Sequence, residues 1–153
     1  MKGKSPAQQF AGFLAKYSPR VRSVAIRAIA KLRKLVPGAV ELVYDNYNAL
    51  AVGFGPSERA SDAVLSIALY PRWVSLFFLH GASLPDPDRL LKGKGSRVRH
   101  IVLDPPSLLD TPSVKALISC AVKSAPVSLA GSRRRRMVIK SVSAKQRARR
   151  ASQ

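Results

Sequence analysis

His80, His100 and Cys120 are the side chains in this 153-residue sequence that most often carry catalysis or bind zinc. Neither histidine has a nucleophile close to it in sequence, and no Gly-x-Ser-x-Gly elbow is present. One cysteine and two histidines cannot supply the four closely spaced ligands of a structural zinc site. We therefore expect the protein not to be an enzyme, and we expect it to have no resident cofactor.

Carboxylates near His80 offer a different chemistry. His80, Asp86 and Asp88, with Glu41 as a further ligand, would combine imidazole nitrogen with carboxylate oxygen, a set that suits iron. The alternative is that Asp86 and Asp88 cap a turn, because prolines alternate with them. We favour the turn, and iron binding stays open as the weaker hypothesis.

A glycine-rich loop follows, and it is dense in cations. It does not match the phosphate-binding sequence Gly-x-x-x-x-Gly-Lys-[Ser/Thr], although glycine backbone among cations can still form an anion-binding concavity. The alternative is an ordinary basic surface loop, and ordinary sheet packing is the alternative for the tyrosines. The candidate ligand- or anion-binding residues are Tyr44, Tyr47, Arg72, His80, Lys92, Lys94, Arg97 and Arg99.

The strongest compositional signal is a net charge of +19. The segment 126–153 holds nine Lys and Arg and no acid, which is about half of that charge. Arginines that meet phosphates release counterions, so this segment predicts nonspecific binding to nucleic acid or another polyanion. The alternatives are no dedicated partner and binding to a membrane surface. The nucleic-acid candidates are Arg133, Arg134, Arg135, Arg136, Arg147, Arg149 and Arg150.

Three helices are predicted by a hydroxyl residue followed by proline. Ser5, Ser18 and Thr111 can cap the free N–H groups, and the proline after each loses nothing by lacking its own N–H. The second helix should end before Pro37 and the third before Pro126. The second helix also has a cationic stripe opposite its apolar face, formed by Arg20, Arg27, Lys31 and Lys34.

Strand patterns fill the region between the second and third helices. Short connections predict an antiparallel meander, with Trp73–His80 placed centrally because it is apolar on both faces. The predicted fold class is α+β, with an antiparallel sheet of about five strands, two N-terminal helices and one C-terminal helix. The predicted strands span 39–44, 49–54, 63–70, 73–80 and 98–103.

We divide the chain into a folded domain at 1–125 and a disordered basic tail at 126–153. The tail has neither acids nor aromatic residues, so it should not bury enough surface to fold by itself. The lone cysteine, and the lack of a signal peptide or of an apolar run of about 20 residues, predict a cytoplasmic protein without a transmembrane segment. The pattern leaves the oligomeric state open, and a protein partner stays possible.

A run of short motifs between Leu76 and Ile101 resembles the YdhG-like family of bacterial domains of unknown function. The motifs are an apolar strand Leu76–Leu79, then Gly81-Ala82-Ser83-Leu84, Asp86-Pro87, Leu90-Leu91, Gly93-Lys94-Gly95 and Arg99-His100-Ile101. The resemblance covers roughly Phe10 to Val122. It implies a small α+β fold in a bacterial cytosol. Some relatives are described as intracellular iron chaperones, which makes metal handling the alternative to a noncatalytic small-ligand or protein-binding domain.

Overall fold

Proline follows the capping residue of each α-helix in the computed structural model, which describes residues 3–129 and 134–151. The Ser5 side chain accepts a hydrogen bond from the backbone N–H of Gln8, and the Gln8 side-chain oxygen accepts one from the backbone N–H of Ser5. Ser18 and Thr111 cap the other two helices. The helices are α1 Pro6–Ala15, α2 Pro19–Leu35 and α3 Pro112–Lys123.

Six strands in the described part of the chain form one mixed sheet, so the fold is α+β. Their order across the sheet is β5-β4-β3-β2-β1-β6. Neighbouring strands are antiparallel, except that β6 runs parallel to β1. The strands are β1 Val40–Asp45, β2 Leu50–Gly55, β3 Leu65–Leu69, β4 Val74–Phe78, β5 Arg99–Val102 and β6 Arg136–Val142.

All three helices pack on one side of the sheet. Their apolar stripes and alternate strand positions share one hydrophobic core, because strand side chains point to opposite faces in turn. Tyr17, which follows α1, is fully buried there. Its hydroxyl donates to the Leu69 carbonyl and accepts from the Leu50 N–H, each at 3.1 Å, and so joins β3 to β2. One cross-strand row of the core is Val43, Val52, Ile67, Leu76 and Ile101.

The sheet differs from the predicted antiparallel meander of about five strands. The sixth strand, β6, comes from the segment predicted to be a disordered tail, and α3 is therefore not the last element of the chain. β4 lies inside the sheet, between β3 and β5, but β3 and β2 occupy its middle. Proximity along the chain predicts hairpins well, whereas it does not predict a parallel pairing across about 90 intervening residues.

Two carboxylates on β1 are buried on the helix side of the sheet. The Glu41 residue is 0% exposed and Asp45 is 1% exposed. The Glu41 carboxylate accepts from Arg33 at 2.8 and 2.9 Å and from Arg135 at 3.3 Å. Since a buried charge is costly without a partner, β1 requires arginines at both of its ends.

Arg149 supplies the charge for Asp45. Its Nη2 lies 3.0 Å from Asp45 Oδ1, and its guanidinium also donates to the carbonyls of Asn46 and Tyr47. The guanidinium carbon is 5.7 Å from the centre of the Tyr17 ring. Arg149 is only 6% exposed, so this ion pair belongs to the interior of the protein.

The segment after β6 wraps around the turn between β1 and β2. The Ser143 N–H donates to the Asp45 carbonyl at 2.8 Å, and the Arg147 N–H donates to the Tyr47 carbonyl at 2.9 Å. The Gln146 side chain donates to the same Asp45 carbonyl. The end of the described chain is therefore fixed by backbone as well as by side-chain hydrogen bonds.

The prediction that the tail is disordered is wrong for residues 134–151. The tail has no acids or aromatic residues of its own, but the rest of the chain supplies what it lacks. The apolar side chains of Met137 and Ile139 pack against the common core, and the carboxylates of Glu41 and Asp45 accept its arginines. Residues 130–133, with the predicted nucleic-acid residue Arg133, lie outside the described residues.

Replacing Arg149 with alanine should destabilise the protein by about 3–5 kcal/mol, because it leaves the Asp45 carboxylate buried without a counterion. Urea unfolding followed by circular dichroism measures the loss. Arg150→Ala is the matched control, because Arg150 is exposed and its removal should change stability by no more than about 0.5 kcal/mol. The double variant Asp45→Leu/Arg149→Met should be more stable than Arg149→Ala. Equal stability of Arg149→Ala and the parent would contradict the buried ion pair.

Candidate functional site

The side of the sheet that faces away from the helices is here called the open face. Because strand side chains alternate, the register of the strands fixes its members. One cross-strand row consists of Leu42, Gly53, Ser66, Phe77 and His100, and the next consists of Tyr44, Ala51, Ala68, Ser75 and Val102. Tyr70 and Trp73 flank the turn between β3 and β4. Each adjoins a core residue, Leu69 or Val74, so alternation directs its ring toward the open face, and Trp73 also borders a cleft that α2 lines.

Five aromatic rings lie on this face, and four of them form two pairs. Tyr70 and Trp73 are stacked, with ring centres 4.7 Å apart and planes inclined by 19°. Phe77 and His100 lie 5.3 Å apart at 35°. Trp73 is 43% exposed, and Phe77, His100 and Tyr44 are half-buried. The rings are therefore held in place by the sheet while part of their surface meets solvent.

Small side chains separate the rings. Ala51, Ala68 and Ser75 lie in the row between Tyr44 and Val102, and Gly53 and Ser66 precede Phe77. Gly53, Ala68 and Ser75 are themselves buried, so the rings supply most of the accessible surface in this part of the face.

The loop between β2 and β3 covers one end of the open face. A Cβ atom on Gly55 would lie 2.9 Å from the Cα atom of Ala63, so only glycine fits beneath the loop there. β6 holds the loop from the other side, because Arg136 pairs with Glu58 at 2.8 Å and Lys140 donates to the Glu58 carbonyl. Leu42 is fully buried at this end, and the uncovered part of the face begins beyond it.

Cations border the uncovered part. Lys92 pairs with His100 through its backbone, which places it on the open face at the end of the Phe77 row. Arg72 is exposed in the turn before Trp73. Both carboxylates that the strands carry, on Glu41 and Asp45, belong to the opposite side of the sheet.

Burial raises the pKa of two tyrosines on the open face. Desolvation raises the pKa of Tyr44 and of Tyr70 above the ordinary value of 10.0. In the core, burial likewise raises the pKa of Tyr17, an effect that the nearby positive charge of Arg149 partly offsets.

The remaining predicted ligand residues are dispersed. Tyr47 lies in the turn between β1 and β2, with the Arg147 guanidinium carbon 5.6 Å from its ring centre. His80 begins a short 3₁₀ turn, Gly81–Ser83, and its carbonyl accepts from the Ser83 hydroxyl. Of the residues predicted for ligand binding, Tyr44, Arg72 and Lys92 lie on or beside the open face.

The glycine-rich loop is held by one of its own predicted anion ligands. The Arg99 guanidinium donates to the carbonyls of Gly95 and Val98, so it stabilises the loop from within. Arg99 packs directly against Gly81, where a larger residue would not fit, because a Cβ atom on residue 81 would lie 2.6 Å from the Arg99 Cβ. Lys94 and Arg97 are exposed.

The residues predicted for iron have other partners. Both oxygens of Asp86 accept backbone N–H groups, from Leu90 and from Leu91, each at 2.9 Å. Asp88 accepts from the Ser113 hydroxyl at 2.6 Å. Across residues 3–129 and 134–151, His, Cys, Asp and Glu side chains form no group of three that could hold a metal ion.

Several tail arginines serve the fold. Arg135, Arg136 and Arg149 form ion pairs with Glu41, Glu58 and Asp45. Arg149 is buried and is therefore not available to a nucleic acid. The prediction that Arg149 contacts nucleic acid is corrected accordingly. Arg150 donates to the Lys16 carbonyl from an exposed position. Arg134 and Arg147 are exposed as well.

The cationic stripe of α2 lines a cleft of about 270 Å³ against the 3₁₀ turn Pro106–Asp110. Lys31 pairs with Asp110 at 2.8 Å across this cleft, while Arg27 and Lys34 lie along its wall. The Lys31 ammonium lowers the pKa of the exposed Asp110 carboxyl. Arg27, Lys31 and Lys34 thus form a basic surface on the helix side, whereas Arg20 lines a separate cleft beside Trp73.

Sequence reasoning did not find Tyr70, Trp73, Phe77 and His100 as a group. Their signal was present in the alternation, because Ser66-x-Ala68-x-Tyr70 and Trp73-x-Ser75-x-Phe77 place small and aromatic residues on one face. We interpreted the apolar residues on both faces of β4 as a sign of complete burial. Strand pairing was needed to bring His100 beside Phe77.

No protein family, characterised protein or solved structure gives a significant match to this chain. Among the described residues, none of the helices has the length and apolar character needed to cross a membrane.

The raised pKa values predict how stability depends on pH. The folded protein keeps the phenol proton of Tyr70 to higher pH than the unfolded chain does. The contribution of this phenol to the free energy of unfolding is therefore complete below pH 10.0 and is lost as the pH rises above it. Urea unfolding at a series of alkaline pH values should show the free energy of unfolding falling, and Tyr70→Phe should make the fall shallower. The same slope in parent and variant would contradict the burial of this ring.

Proposed function

We propose that this protein is a noncatalytic domain that binds nucleic acid, with phosphates meeting cations that the fold does not use. The observation that carries the proposal is the charge that remains after folding. The sequence has 27 Lys and Arg against 8 Asp and Glu. Within the described residues, five cations form ion pairs, and these occupy four of the acids.

The other acids add little compensation. The carboxylates of Asp62, Asp86 and Asp88 accept hydrogen bonds from hydroxyl or backbone N–H groups instead of from cations. A large positive surplus therefore stays at the surface, where it attracts a polyanion and makes binding depend steeply on salt.

The histidines support a binding role over catalysis. His100 is tilted against Phe77, and His80 begins a turn. In the described parts of the chain, neither imidazole forms a salt bridge with a carboxylate that would orient it as a base. Membership of the YdhG-like family stays a prediction based on the motifs between Leu76 and Ile101, and nucleic-acid binding does not depend on it.

The full chain should bind a short fluorescent duplex at low salt, with an affinity that falls linearly on a logarithmic scale as salt rises from about 50 to 200 mM. Neutralising Arg72 and Lys92 to glutamine should weaken binding and lower the magnitude of the salt slope by about 1 for each lost phosphate contact. Fluorescence anisotropy measures both effects.

Lys115→Gln/Lys123→Gln is the matched control, because it removes the same charge from exposed positions on α3, on the helix side. It should weaken binding less than the Arg72/Lys92 pair does. No binding at about 50 mM salt, or an affinity that does not change with salt, would contradict the proposed function.

A further inference from the structure

The open face has the features of a surface for unpaired bases, and this inference rests on the proposed function. Aromatic side chains bind single strands by stacking, which duplex DNA cannot satisfy because its bases are already paired and stacked. The open face presents the Tyr70–Trp73 pair, the Phe77–His100 pair and Tyr44, and Trp73 also borders a cleft that α2 lines. A surface that binds phosphates by charge alone does not require exposed aromatic side chains.

The spacing of the rings suits more than one base. Trp73 directly precedes β4 and lies four residues from Phe77, which corresponds to about 13 Å in an extended chain. Tyr44 and Phe77 are on strands three intervals apart, which corresponds to about 14 Å. Ala51, Ala68 and Ser75 lie between these rings, and Ala68 and Ser75 are only 4% and 2% exposed, so a base would contact the rings and not the sheet between them.

Charge complementarity selects a nucleic acid as the occupant. Lys92 ends the Phe77 row, and Arg72 is exposed in the turn beside Trp73, where Asp104 is the one acid that lines the adjoining cleft. A second copy of the chain is disfavoured, since each copy has a net charge of +19. An unpaired strand offers phosphates to the cations and bases to the rings at the same time.

We propose that the open face binds single-stranded nucleic acid by stacking unpaired bases on its rings, while Lys92 and Arg72 contact the backbone. Trp73 is the single tryptophan of the chain, so tryptophan fluorescence reports on the surroundings of this one residue. Base stacking on Trp73 or its partner Tyr70 changes that emission, and an abasic strand shows how much of the change comes from the phosphate contact at the neighbouring Arg72.

The test titrates the full chain with single-stranded RNA and DNA of about 10 nucleotides. An abasic strand of the same length and a duplex are titrated in parallel. Either base-containing single strand should quench Trp73 and bind more tightly than the abasic strand. Phe77→Leu should weaken binding of the base-containing strand by about tenfold and leave abasic binding unchanged. Phe13→Leu is the matched control on the helix side, and it should leave both affinities unchanged.

The outcomes separate this inference from the proposed function. If base-containing and abasic strands bind equally and Trp73 emission is constant, stacking is overturned while phosphate binding stands. If no strand or duplex binds at low salt, both proposals fail. If Trp73 emission changes with protein concentration alone, a second copy covers the face, and the inference is overturned.

Discussion

Two buried carboxylates on a single strand govern this structure. Glu41 and Asp45 lie on the helix side of β1, four residues apart, where water does not reach them. A buried carboxylate without a counterion costs several kcal/mol, so arginines from other parts of the chain stabilise the fold by pairing with these two groups. Arg33 on α2 supplies one charge, and Arg135 and Arg149 supply the others from the end of the chain. The C-terminal segment is thereby joined to the sheet, with β6 paired along the edge of β1.

This requirement divides the positive charge into two sets. The first set neutralises buried or loop carboxylates and fixes the fold, as Arg149 and Arg136 do. The second set forms no ion pair among residues 3–129 and 134–151, and it includes Arg72 and Lys92 beside the open face. The proposed binding activity depends on the second set only. Changes to the two sets therefore have different consequences, since the first affects stability and the second affects affinity.

The helices could be predicted from sequence because their signals are local. Ser5, Ser18 and Thr111 each act on the N–H groups of the next turn, and a proline beside each is visible in the sequence. The hairpins were predictable for the same reason. The ordered structure of the C-terminal segment could not be predicted, because it depends on partners far away in sequence, such as Asp45 for Arg149. The same limit applies to the open face, where His100 meets Phe77 only through strand pairing.

The most direct test of the central claim is hydrogen exchange of the full chain, followed residue by residue. Backbone amides of β6 that bond to β1 should be protected to a degree similar to those between β1 and β2, because β6 belongs to the same cooperative sheet. Exchange of the β6 amides at the rate of an unfolded peptide, with β2 still protected, would contradict the claim that the basic C-terminal segment is part of the fold.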